Sequence, residues 1–268
     1  MLTVQEWSTR RAAHEQRVDG WTAGHRDRAA RQVPHPVEDF LFTYYSHRPS
    51  RLRRWSPGVG EVCLAYDGEQ PWLEVPDKAR RTASWVVDLL ARTADRPSQF
   101  GCFGLHEWAM VYREQPRHRD WPLRLGEAGT AAVVEAQPLR CSHHDAFRFF
   151  TAPARPLNLL QPSREDQADL EQGGCLHANM DLYKWAYKLS PWIAAELVAD
   201  CFELARRVRV LDMRASPYDL SALGYSAVPI ETDVGRRDYV RQQRAFADEA
   251  GTLRARLIDA ARPLIRTA

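Results

Sequence analysis

The chain has 268 residues, 37 Lys and Arg against 35 Asp and Glu, a formal net charge of +2 and 44% hydrophobic residues. That balance excludes a disordered chain and allows a substantial core, in one large domain or two small ones. Five scattered cysteines, Cys63, Cys102, Cys141, Cys175 and Cys201, never form a C-x-x-C pair, which argues against a disulfide framework or a zinc knuckle and for a reducing, cytoplasmic setting.

The N-terminus, Met1 to Trp7, carries no basic-then-apolar signal pattern. No apolar run approaches the roughly 20 residues that cross a bilayer, so neither export nor a membrane partner is expected. Thr3-x-x-Glu6 reads as a capping box opening a basic, peripheral helical arm over residues 1–34, interrupted near Gly20. The stretch from His35 to His47 reads as a buried helix. It leads into an exposed tract with Arg48, Arg51, Arg53 and Arg54, candidates for contact with nucleic-acid backbone. A solvated charged face is the plainer reading of the same arginines.

From Glu61 to Val75 short apolar runs flank Asp67-Gly68, the signal of a small β-hairpin. A helix is predicted from Asp77 through Leu90, ending before Pro97. A second irregular or short-strand region runs from Pro116 to Arg140. Residues 153–174, rich in Pro, Gln, Asp and Glu, read as a surface loop near the site. Ser190-Pro191 reads as the start of a long amphipathic helix through Leu211, and another helix runs from about Arg236 toward Pro263. The fold class predicted is mainly α, a single helical domain over 1–268 with a small β-hairpin and minor strand additions.

Three polar clusters interrupt apolar, aromatic-rich sequence: His106-Glu107, His143-His144-Asp145, and His177 with Asp181. Imidazoles and carboxylates are costly to bury there unless they meet one another, a metal or a substrate. On the helix over 176–189, His177, Asp181, Lys184 and Lys188 fall at i, i+4, i+7 and i+11, a single polar stripe. It faces either a cavity or an internal ion pair of Asp181 with Lys184 or Lys188. Asp212, Arg214 and Asp219 form a second polar group, which bridging at a helix end would also explain.

The residues themselves support a metal site. His106, His143, His144, Asp145, His177 and Asp181 are candidate ligands for iron, zinc or manganese, with open positions for water or oxygen and a small-molecule substrate. The order His106, then His144-Asp145, then Asp181 resembles the H…HD…D order of the HD-domain superfamily. That is a helical fold binding one or two metal ions for phosphohydrolysis or, with iron, oxygenation. His143-x-Asp145 with His177 is the alternative two-histidine, one-carboxylate set.

At a larger scale His35-Pro-Val-Glu-Asp-Phe-Leu-Phe-Thr-Tyr-Tyr, Gly104-Leu-His-Glu-Trp-Ala-Met-Val-Tyr, Cys175-Leu-His-Ala-Asn-Met-Asp-Leu-Tyr-Lys-Trp-Ala and Leu211-Asp-Met-Arg-Ala-Ser-Pro-Tyr-Asp-Leu resemble an actinobacterial family catalogued as 3-methyladenine DNA glycosylases. The likeness spans roughly residues 35 to 250. It implies a hydrolase of the N-glycosidic bond of alkylated purines that needs no cofactor and takes DNA as its partner. On that reading Asp145 or Asp181 activates water and Trp108 or Trp185 clamps the base; the residues themselves make Glu107 a candidate general base and Tyr112 and Lys184 further candidates for substrate contact. The glycine-rich hairpin that grips DNA in well-studied helical alkylpurine glycosylases does not precede Asp145, Asp181 or Asp212.

Overall fold

A computed structural model describes residues 1–115 and 120–265. It is mainly α. In chain order the helices are α1 (Val4–Ala30), α2 (Phe40–Tyr44), α3 (Pro49–Leu52), α4 (Asp77–Asp95), α5 (Leu105–Ala109), α6 (Gly126–Glu135), α7 (His144–Phe147), α8 (Gln167–Leu170), α9 (Leu176–Lys188), α10 (Ala195–Arg214) and α11 (Asp233–Ile265). Among the described residues β pairing is limited to isolated bridges, and no helix is long and apolar enough to cross a membrane. The chain divides into two compact units, one of Met1–Ala91, Met180–Arg206 and the segment from Thr252, the other of Arg92–Asn179 and Arg207–Gly251.

In the first unit the Thr3–Glu6 capping box is formed, with the Thr3 amide donating to Glu6 at 2.8 Å and the Glu6 amide donating to Thr3 Oγ1 at 3.3 Å. The helix does not break at Gly20. A mid-helix glycine costs only about 1 kcal/mol, and packing on both sides offsets it: Val18 and Thr22 are fully buried, and Trp21 lies against Phe202 of α10. The arginine-rich face of α1 is largely paired, Arg17 with Asp200 and Glu203 and Arg10 with Glu196.

The predicted hairpin over Glu61–Val75 is not formed. Gln70 takes the place of a strand partner, its side-chain amide accepting from the Cys63 amide at 2.8 Å and donating to the Cys63 carbonyl at 3.0 Å. Cys63 pairs instead with Leu2 in a parallel bridge, and the segment packs into a cluster of Trp7, Trp55, Trp72 and Ala195. The buried helix expected over His35–His47 shortens to α2, because the His35 ring caps the Val37 and Glu38 amides and turns the chain first. The α10 helix begins at Ala195 rather than at Pro191, with residues 189–192 in turns before it.

In the second unit the region expected to be irregular or short-stranded contains α6 and two isolated bridges, antiparallel from Leu123 to Tyr218 and parallel from Leu139 to Asn158. Its residues 116–119 lie outside the described residues. Segment 153–174 has a helical turn at Arg155–Leu157 and the short α8. Asn158 holds it to the preceding chain through bonds to both backbone groups of Cys141.

Candidate functional site

The site in the second unit is built on a tight turn. Phe103 and Gly104 both have left-handed backbone, φ +49° and +75°, so the chain reverses directly into α5. A Cβ on Gly104 would stand 3.2 Å from the Tyr239 ring and 3.3 Å from Ala215 Cβ, so glycine satisfies both the backbone angle and the close approach. The turn places Cys102 and His106 one helical step apart, with Cys102 Sγ 3.6 Å from His106 Nδ1.

The other ring nitrogen of His106 meets the last turn of α10. His106 Nε2 is 2.7 Å from Asp212 Oδ1, while Arg209 donates to Asp212 Oδ2 at 2.8 Å and to Glu107 Oε1 at 2.9 Å. All four side chains are buried. Burial opposes each charge, and the neighbours decide the outcome. Despite burial, Asp212 and the Cys102 thiol raise the His106 imidazolium well above its ordinary range. Asp212, also despite burial, is held well below the carboxylate range by His106, His177 and Arg209. Glu107 is pushed up by burial and by repulsion from Asp212, which its bond to Arg209 only partly offsets.

His177, in the first turn of α9, completes the group. Its ring stands edge-on to His106 with centroids 4.4 Å apart and stacks on His143 at 5.3 Å. One ligating atom each from His106, His177 and Asp212 lie within 4.8 Å of one another. A first-row ion bonded at about 2.1 Å spaces its ligand atoms roughly 3 to 4 Å apart, comparable with the spacing within this group. His143 caps α7, accepting from the Ala146 amide through Nδ1, and turns Nε2 to within 3.3 Å of Glu171.

His106 and His177 line a cavity of about 400 Å³. Leu159, Leu160, Leu170 and Leu176 form an apolar wall, and Tyr239 and Gln243 of α11 form a polar one. Cys102, Cys141 and Cys175 also line it. Burial pushes Cys175 up to about 12 and Cys141 well above the usual thiol range, so both are neutral walls.

The three predicted clusters are brought together only in part. His106, His143 and His177 come together. His144 is half-buried with its ring beside the Pro162 carbonyl, and Asp145 pairs with Arg148 at 3.3 Å. Trp108 is fully buried and donates to the Ala215 carbonyl at 2.8 Å; Tyr112 donates to Glu135. In the first unit Asp181 accepts from Tyr45 at 2.7 Å and is bound by Lys184, the internal ion pair weighed from the sequence. Trp185 packs edge-on against Trp85 with the Lys184 and Lys188 ammonium groups over its ring. Arg48, Arg51 and Arg54 are exposed, whereas Arg53 pairs with Glu15 and Asp19.

The carboxylate that joins the histidines is Asp212, grouped from the sequence with Arg214 and Asp219. Arg209, Glu171, Cys102, Tyr239 and Gln243 were not singled out. A signal existed for Arg209 and Asp212: two opposite charges three residues apart among Val208, Val210, Leu211 and Met213 must be buried together. Gln243 and Tyr239 have no such signal in a long amphipathic helix. No protein-family model, curated protein or solved structure matches the chain.

Proposed function

We propose that the protein is a metal-dependent enzyme acting on a small molecule, its iron, zinc or manganese held by His106, His177 and Asp212. The observation that carries this reading is the convergence of one buried carboxylate with two buried imidazoles that line a cavity. Imidazole with carboxylate suits these ions, and such a centre supplies Lewis-acid activation of water or, with iron, of oxygen. The surrounding residues do the positioning. Cys102 engages Nδ1 of His106 and leaves Nε2 directed at Asp212, and Arg209 fixes the second Asp212 oxygen so that Oδ1 faces the histidines. Glu107 balances the Arg209 charge from the other side. A cytoplasmic location belongs to this reading, since all five cysteines are free.

Elemental analysis of protein purified without chelator tests the proposal. About one transition-metal ion per chain, lost in His177→Ala, is the expected result. Release of alkylated bases from methylated DNA by protein stripped of metal would instead favour the glycosylase activity that the family resemblance implies.

A further inference from the structure

The first unit holds a cleft of about 880 Å³, within the roughly 300–1,000 Å³ of small-molecule sites. None of the proposed metal ligands lines it. Three half-buried rings do: Tyr66, Tyr187 and Trp192. Their polar tips are committed elsewhere. The Tyr187 hydroxyl donates to the Tyr45 carbonyl at 2.8 Å, Trp192 Nε1 donates to the Glu74 carbonyl at 2.6 Å, and the Tyr66 hydroxyl is engaged by Arg11. What these rings retain for a ligand is apolar and flat, suited to an aromatic body.

The charge on the same walls is one-sided. Arg11, Arg51, Arg54 and Lys188 line the cleft against two carboxylates, Glu15 and Glu69, a formal lining charge of +2. Arg11 is bound to Asp67 at 2.8 Å and Glu15 to Arg53 at 2.9 Å, so those two groups cancel against neighbours. Arg51 and Arg54 are exposed, and neither has a carboxylate partner among the described residues. Burial first, and then the Arg51 charge, lower the pKa of His47, which lines the same cleft, so the Arg51 guanidinium is felt within it. The cationic excess stays local: Arg10 and Arg17 are paired with carboxylates, as are Arg11 and Arg53, so no free basic track continues along α1 of the kind a nucleic-acid strand follows.

We infer that this cleft binds a small aromatic phosphomonoester, its phosphate held by the Arg51 and Arg54 guanidinium groups and its ring against the half-buried aromatic side chains. Guanidinium forks match phosphate oxygens, and a phosphomonoester carries about −1.5 to −2 charges at neutral pH, the complement of the lining. This site is independent of the metal reading, since it uses none of those ligands.

The test is calorimetric titration of the full chain with AMP and with phenyl phosphate, beside adenosine, which has the ring without the charge, and inorganic phosphate, which has the charge without the ring. At least one of the two aromatic phosphates should bind saturably, and the tighter of them shows whether the site takes a nucleoside or a simple aryl body. Adenosine and inorganic phosphate should each bind at least about tenfold more weakly than that ligand. Arg51→Gln combined with Arg54→Gln should weaken the aromatic phosphate by at least about tenfold and leave adenosine unchanged. Both side chains are exposed, and the ligand series decides the matter if that variant fails to fold. No saturable binding of either aromatic phosphate, adenosine or inorganic phosphate binding equally well, or an unchanged double variant would overturn the inference. So would tighter binding of a decathymidylate lacking a terminal phosphate, which would make the arginines a strand-binding surface instead.

Discussion

His106 Nε2 and Asp212 Oδ1 lie 2.7 Å apart although 106 positions separate them in the chain. The contact joins the first turn of α5 to the last turn of α10 and sets the ring plane of His106 from both sides, since Cys102 holds the other nitrogen. Neither residue would be stable there alone. A buried imidazole and a buried carboxylate each need a partner, and Arg209 ties the pair to Glu107.

Asp212→Ala is expected to reduce bound metal from about one ion per chain to roughly a tenth or less, whereas Asp145→Ala retains it, because Asp145 pairs with Arg148 away from the group. Mass-spectrometric metal analysis of both variants after identical purification checks this. Equal metal in both would remove Asp212 from the proposed ligand set.

Arg209→Leu leaves Glu107 buried without its cation and Asp212 with His106 alone, and should cost about 3–5 kcal/mol. Urea unfolding measures it. Adding Glu107→Leu to the same chain should recover part of the loss, because it removes the stranded carboxyl. A single variant as stable as the parent would show that the network contributes little.

His47 gives the first unit an acid-sensitive contact. Its ring stacks on Tyr187 at 4.3 Å and its Nδ1 is 2.8 Å from the Tyr183 hydroxyl. Burial, with Arg51 adding to it, lowers its pKa from 6.5 to about 4. On acidification the unfolded chain therefore takes the proton first. The stability this group contributes is fully present above pH 6.5 and is lost as pH falls toward 4, reaching about 2 kcal/mol by pH 5. His47→Gln should remove that share of the change between pH 7.5 and pH 5 in paired denaturation curves. An identical pH slope in parent and variant would refute it.

Trp108, read from the sequence as a base clamp, is a core residue bonded to the Ala215 carbonyl. Trp108→Ala should destabilise by about 3–5 kcal/mol, and thermal melts will register it. Trp108→Phe, which keeps most of the volume, should cost less, whereas an equal loss would place the contribution in the Ala215 bond rather than in the packed volume.

Much of the helical framework was legible because it rests on local rules. The Thr3–Glu6 capping box and the spacing of apolar residues in α4, α9 and α11 concern neighbours within one turn, and those helices formed where the pattern put them. Local rules failed where a side chain substituted for backbone. Gln70 occupied the Cys63 pairing groups in place of a second strand, and the His35 ring ended a helix before it began.

Residue patterning along the chain was enough to require that histidines and carboxylates be buried among aromatic residues, and hence find partners. It could not say which partners. His144 and Asp145 adjoin His143 in the chain yet turn to Pro162 and Arg148, while His106 and His177 meet Asp212. Packing made that choice, because the cost of burying a charge is settled by whichever opposite charge comes within about 3 Å, not by the residue beside it in the chain.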